Sequence, residues 1–204
     1  QYNLKDAQIE DFGEISLRGH LISDEKEAQA ELSLNGEVQK LAGWPNGEYT
    51  GLIKPIDSNE YGKRTKSGIA NGCSFKVNYD RPSQWSKPEQ AWLSGTIGPN
   101  YEFDYYPVSR FDSKEKRVYL SRGALEKYYT EPYYRFENVP EELDEPGEYY
   151  IDRQSGMLYF YPPEDAPKDS VLTITMSTPT LDVSRKAPNS MFRIENSKNI
   201  VFEN

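Results

Sequence analysis

The chain is expected to be all-β, folded as a sandwich or a distorted barrel. Three observations carry that expectation: period-two alternation of apolar and polar residues, two hairpin signals, and 14 Gly plus 14 Pro punctuating short segments. In EISLRGHLIS, Ile15, Leu17 and Leu21 fall on one face of a strand, with Ser16, Arg18 and His20 on the other. AELSLNGEVQKLAGW holds Asn35-Gly36 between two such runs. Both residues of a tight hairpin turn need positive φ, which Asn and Gly accept most readily. CSFKVNY alternates Cys73, Phe75, Val77 and Tyr79 against Ser74, Lys76 and Asn78; AWLSGTI, KRVYL and VLTITM continue the pattern.

GEYYIDRQSGMLYFYP reads as a second hairpin, with Gly156 at the left-handed position that closes a longer turn. Helix is confined to 121–129 and to one turn over 139–144, both bracketed by Pro132, Pro140 and Pro146. No hydrophobic period appears in the connections 57–68 and 86–90, and loops that long are usually mobile or functional. The stretches 162–170 and 184–190 read as linkers rich in Pro, Asp, Ser and Lys. Beyond them, Met191, Phe192, Ile194, Ile200, Val201 and Phe202 form two short apolar runs around Asn196 and Asn199. That pattern suits either the first rung of a parallel β-helix, where Asn side chains satisfy bends, or a closing hairpin.

Composition narrows the function classes. With 33 acidic against 24 basic side chains, the net charge is -9 and the pI about 4.8, which argues against nucleic acid as a partner. Sixteen Tyr among 13% aromatic residues are too many for a disordered acidic chain. No apolar run is long enough to span a bilayer, and the first residues have no leader-like apolar core, so no membrane partner is expected and any leader is absent or removed. A Cys-poor, Tyr-rich, acidic composition without a glycosylation sequon suits a secreted or cell-surface bacterial protein. One Cys and one His exclude an intramolecular disulfide and metal sites built from paired thiolates or paired imidazoles. No cofactor motif is present.

Chemistry-bearing motifs are equally sparse. There is no phosphate loop, no nucleophile elbow and no zinc-protease helix, so neither catalytic nor metal-binding residues are assigned. His20 reads as structural or exposed, and Cys73 as a small core side chain. A glycosidase would need two carboxylates at a set spacing, and Asp112, Asp144, Asp152 and Asp165 all sit where turns need them. The aromatic clusters are more telling. Trp85, Trp92, Tyr101, Phe103, Tyr105 and Tyr106 lie within 22 positions, followed by Tyr128, Tyr129, Tyr133, Tyr134 and Phe136. Sugar rings stack on such faces while carboxylates and amides bind their hydroxyls; the alternative is that the rings fill a core short of Leu and Ile. The candidate glycan contacts are Trp85, Trp92, Tyr101, Asp104, Tyr105 and Tyr106.

Two blocks go beyond pattern. PYYRFENVPEELDEPGEYYIDRQSGMLYFYPP (132–163) resembles a motif of bacterial right-handed parallel β-helix carbohydrate-active proteins, matching it at Leu143, Asp144, Pro146, Gly147, Glu148, Tyr150, Asp152, Gly156, Leu158, Tyr159 and Pro162. ELSLNGEVQKLAGWPNGEY (31–49) is similar to an earlier segment of the same group at Asn35, Gly36, Ala42, Trp44, Pro45 and Asn46. The resemblance is to the inserted β-domain of glycoside hydrolase family 141-like proteins and covers about residues 14–204. The sequence departs from the family at Tyr101-Glu102-Phe103-Asp104-Tyr105, where relatives often carry a Trp-Asp-Trp-like segment. The resemblance implies an insertion domain over 1–188 and a first β-helix rung over 189–204. It further implies that the hydrolytic carboxylates lie on the helix, with this domain packed against it. The expected role is a non-catalytic accessory domain shaping one wall of an oligo- or polysaccharide cleft. The alternatives are a self-sufficient carbohydrate-binding module and, third, a complete small acidic glycosidase.

Overall fold

The computed structural model describes residues 1–15, 30–47, 72–97, 101, 103–122, 133–175, 196, 198, 200 and 201. These form short strands: β1 (Tyr2–Asn3), β2 (Glu31–Leu34), β3 (Glu37–Val38), β4 (Lys40–Leu41), β5 (Gly43–Trp44), β6 (Cys73–Lys76) and β7 (Trp92–Thr96). They continue with β8 (Asp104–Asp112), β9 (Arg117–Leu120), β10 (Tyr133–Glu137), β11 (Glu148–Asp152), β12 (Met157–Tyr161) and β13 (Leu172–Thr175). Three sheets result, in the orders β1-β12-β11-β4, β5-β10-β7-β8-β9-β6 and β13-β2-β3. None closes on itself, so the fold is sandwich-like and the barrel expectation is set aside. Among the described residues the only helical elements are short 3-10 turns. The expected strand over 15–21 beyond Ile15, the helix over 121–129 beyond Arg122, the connection 57–68, His20 and the side chain of Cys73 lie outside the described part. So does most of 184–204; Ile200 and Val201 are exposed and belong to no strand.

Both expected hairpins form. Asn35 (φ 51°) and Gly36 (φ 87°) make the two-residue turn between β2 and β3, with Leu34 opposite Glu37. In the β11–β12 hairpin, Gly156 (φ 81°) closes the turn, and the Asp152 carboxylate accepts the Gln154 N–H at 3.0 Å and the Ser155 hydroxyl at 2.6 Å. Asp112 serves the next turn in the same way, accepting the N–H groups of Lys114 and Glu115 at 3.1 Å each. The 86–90 stretch, unreadable as a period, is ordered by a 3-10 turn over Pro88–Gln90. The 162–170 stretch carries the chain from β12 to β13, which pairs with β2.

Two cores follow from the alternation. Leu32 of β2 with Leu172 and Ile174 of β13 face Tyr149, Ile151 and Leu158 of the β11–β12 hairpin, and Leu4 and Phe12 close the sides. The second core lies on one face of the six-stranded sheet and is largely aromatic: Phe75, Trp85, Tyr106, Tyr134 and Phe136, joined by Leu93, Val108, Val118 and Leu120. Fully burying one such ring stabilises the fold by roughly 1.5–3 kcal/mol, so these rings replace the missing Leu and Ile. Trp85 packs edge-on to Phe136 at 5.2 Å, and Tyr134 edge-on to the same ring at 5.7 Å.

The sheets are stitched together where the two family-like blocks meet. The chain leaves β4, parallel to β11, and enters β5, antiparallel to β10, with only Ala42 between. Ala42 donates to the Tyr149 carbonyl at 2.8 Å and accepts the Val139 N–H at 3.1 Å. Arg135 crosses the seam from β10: its Nη2 donates to the Leu41 carbonyl at 3.2 Å and lies 3.5 Å from Glu148 Oε1. At Gly43 an added Cβ would collide with the Phe136 carbonyl oxygen and press on the Arg135 guanidinium. Beside the seam, buried Glu142 takes two donors from Arg81, Nε at 2.8 Å and Nη2 at 2.6 Å, and the indole N–H of Trp85.

Gly43→Ala is therefore expected to destabilise the fold by about 2–3 kcal/mol, because backbone rather than a flexible side chain must move. Urea denaturation at neutral pH reads this; an unchanged midpoint would show that the seam tolerates a methyl group. Glu142→Leu is expected to cost about 2 kcal/mol, since it leaves the buried Trp85 N–H without an acceptor while Arg81 can still turn to water. The same titration, followed by Trp emission, measures it.

Candidate functional site

A cleft of about 320 Å³ opens where the two sheets adjoin, lined by Glu14, Ile15, Lys87, Gln90, Trp92, Asn138, Tyr150, Ile151, Asp152, Arg153 and Gln154. Each wall has a local cause. The turn over Pro88–Gln90 starts with Pro, whose missing N–H is no loss at a first helical position, and it sets Lys87 and Gln90 just before Trp92. Asn138 follows β10 with φ 63°, a left-handed geometry that Asn tolerates. There its Nδ2 donates to the Gln90 carbonyl at 3.0 Å, while its Oδ1 accepts Arg153 Nη1 at 3.3 Å. Alternation along β11 turns Tyr149 and Ile151 into the core and leaves Tyr150 and Asp152 facing the cleft. The turn after β11 presents Arg153, anchored by its Nε to the Gly13 carbonyl at 3.0 Å.

The protonation states favour holding a polar ligand over transferring a proton. The Ser155 hydroxyl, with the N–H groups of Gln154 and Ser155 and the charge of Lys87, lowers the Asp152 pKa against the opposing effect of burial. Burial raises the Tyr150 phenol, helped by Asp152, so it stays neutral near pH 7. Burial pushes the Arg153 guanidinium down, countered by Tyr149, Tyr150 and Glu14; an arginine remains charged regardless. A glycosidase acid needs a carboxyl with a raised pKa, and Asp152 is shifted the other way with both oxygens engaged by its own turn. Glu148 is raised, chiefly by burial, but it is buried, caps the N–H groups of Asp144 and Glu145 at 3.2 Å each and does not line this cleft.

The six expected contact residues separate. Trp92 lies in the cleft, half-buried with part of its indole open. Tyr105 shares its face of the sheet, because Trp92 stands opposite Pro107 and Ser94 opposite Tyr105; Tyr105 is half-buried and packs edge-on to Phe103 at 6.1 Å. Tyr101 is 67% exposed and does not line the cleft. Three placements correct the expectation of surface contacts. Trp85 is buried against Phe136 with its N–H on Glu142. Asp104 is fully buried and paired with Arg122 at 2.9 Å. Tyr106 is fully buried because it follows the inward parity of Leu93, its cross-strand partner. Lys87, Gln90, Asn138, Tyr150, Arg153 and Gln154 were not singled out as contacts. The irregular 86–90 stretch marked the first two as a functional connection, whereas the grouping of the others depends on long-range pairing.

No family model matches the chain, and no curated protein matches it. A solved structure described as a glycoside hydrolase is similar to this chain, with a TM-score of 0.50 and 14% identity. The match covers 71% of this chain and 26% of that one, so this chain spans about a quarter of that structure's length. At that identity the likeness shows a shared fold.

Asp152 links the cleft to pH. Its folded pKa lies below its unfolded value, so the stabilisation is present above the ordinary carboxylate range, about pH 4, and is lost as pH falls through the lowered value. Asp152→Asn is expected to lower the urea midpoint at about pH 6 and to shrink the fall between about pH 6 and pH 3. An unaltered pH profile would mean that the turn does not depend on the carboxylate's charge.

Proposed function

We propose that this chain is a glycan-binding accessory module of a larger glycoside hydrolase-like protein, with its sugar site in the Trp92–Tyr150 cleft. One observation carries the reading: a half-open indole and a neutral phenol stand beside amides, two carboxylates and two cations in one cleft. That is the combination with which proteins hold sugars, aromatic faces against C–H edges and polar groups on hydroxyls. The similarity to a longer glycoside hydrolase, of which the match covers 26%, supports the module's place in a larger protein, whose hydrolytic carboxylates then lie outside the cleft described. In this reading the module acts outside a bacterial cell, where polysaccharide is found.

Titration with neutral plant and microbial oligosaccharides, followed by Trp emission, tests the proposal. Saturable quenching is expected from the full chain; Trp92→Ala removes the reporting ring, so its weakening of binding by about tenfold or more is read by calorimetry. Buried Trp85 and Trp44, which packs against Tyr79, lie outside the cleft and supply a constant background. Absence of saturation across the panel would refute the reading.

A further inference from the structure

The cleft does not end at Tyr150. Outward parity along β11 and β12 puts Tyr150, Tyr159 and Tyr161 on one face of the four-stranded sheet, because Tyr150 pairs with Tyr159 and Glu148 with Tyr161. The Tyr150 and Tyr159 rings lie 6.3 Å apart, tilted by 42°, and Tyr161 is 40% exposed at the end of the strand. Residues two apart on a strand are separated by about 6.8 Å, so successive rings on this strip are spaced on the scale of a sugar ring. The strip starts at a residue that already lines the cleft.

From this continuity we infer that the site takes an extended, neutral oligosaccharide, running from Trp92 over Tyr150 and Tyr159 to a distal contact at Tyr161. The inference rests on the glycan-binding reading above. Charge selects the ligand class: Glu14 and Asp152 balance Lys87 and Arg153 in the cleft, and the chain as a whole carries -9. A polyuronate would meet no net positive field near the site and a repulsive one at a distance. Stacking on tyrosine faces needs no charge on the ligand and adds with each sugar unit that finds a ring.

The test is calorimetric titration of the full chain with xylo-oligosaccharides and manno-oligosaccharides of two to six units, alongside oligogalacturonides of matched length. Affinity is expected to rise about tenfold or more from the shortest to the longest neutral probes, with oligogalacturonides weaker at every length. Tyr161→Ala should flatten the length dependence, Tyr161→Phe should restore it because the stacking face returns, and Trp92→Ala should weaken every length. Neutral probes that bind equally at all lengths, or a length dependence untouched by Tyr161→Ala, would overturn the extended strip. Stronger binding of oligogalacturonides would overturn its neutrality. No binding at any length would instead refute the glycan-binding reading itself.

Discussion

The architecture depends on a change of sheet accomplished within five residues. Between Lys40 and Trp44 the backbone gives up its bonds to β11 and takes up bonds to β10, and neither sheet could hold its position without that crossing. Two requirements make it possible: a residue without a side chain at Gly43, and a guanidinium at Arg135 reaching from one sheet to the carbonyl of Leu41 in the other. Burying that guanidinium is costly unless its charge is answered. Glu148 lies 3.5 Å away and Glu137 3.9 Å, both inside the protein, so the seam is an ionic joint between two apolar cores.

The cleft exists because of this joint. Trp92 belongs to the six-stranded sheet and Tyr150 to the four-stranded one, and only the fixed approach of the two sheets makes them neighbours. Asn138 acts as a small fastener on the same boundary, holding Gln90 with its amide nitrogen and Arg153 with its amide oxygen. Among the described residues, site geometry is thus inherited from the packing of the two sheets, which suits a surface that holds a ligand.

How much of this could be read in advance depended on how local the cause was. The Asn35-Gly36 turn, the Gly156 turn and the alternation in 148–152 arise from neighbouring residues, and they were legible as such. The parity of Tyr105 and Tyr106 could be read too, but not which face was core, because the covering groups arrive from Leu93 and Phe136 elsewhere in the chain. Trp85 was indistinguishable from Trp92 by composition; a carboxylate 57 positions away decides that one is a strut and the other a surface. Arg153 and Asn138 carried no local signal, since their meaning lies in each other. The two family-like blocks were visible as blocks, and the structure explains their pairing: residues of one form the seam with residues of the other.

The connectivity also sets the order in which the protein can be completed. Tyr2 pairs with Leu158, and Asn35 reaches across to Ser170, so β1 and β2 are paired by strands more than a hundred positions further along. During synthesis β1 and β2 lack these partners until the β11–β12 hairpin and β13 emerge. High contact order of this kind slows folding and prolongs exposure to misassembly. The local β11–β12 hairpin, able to form on its own timescale, is the natural template on which the earlier strands condense.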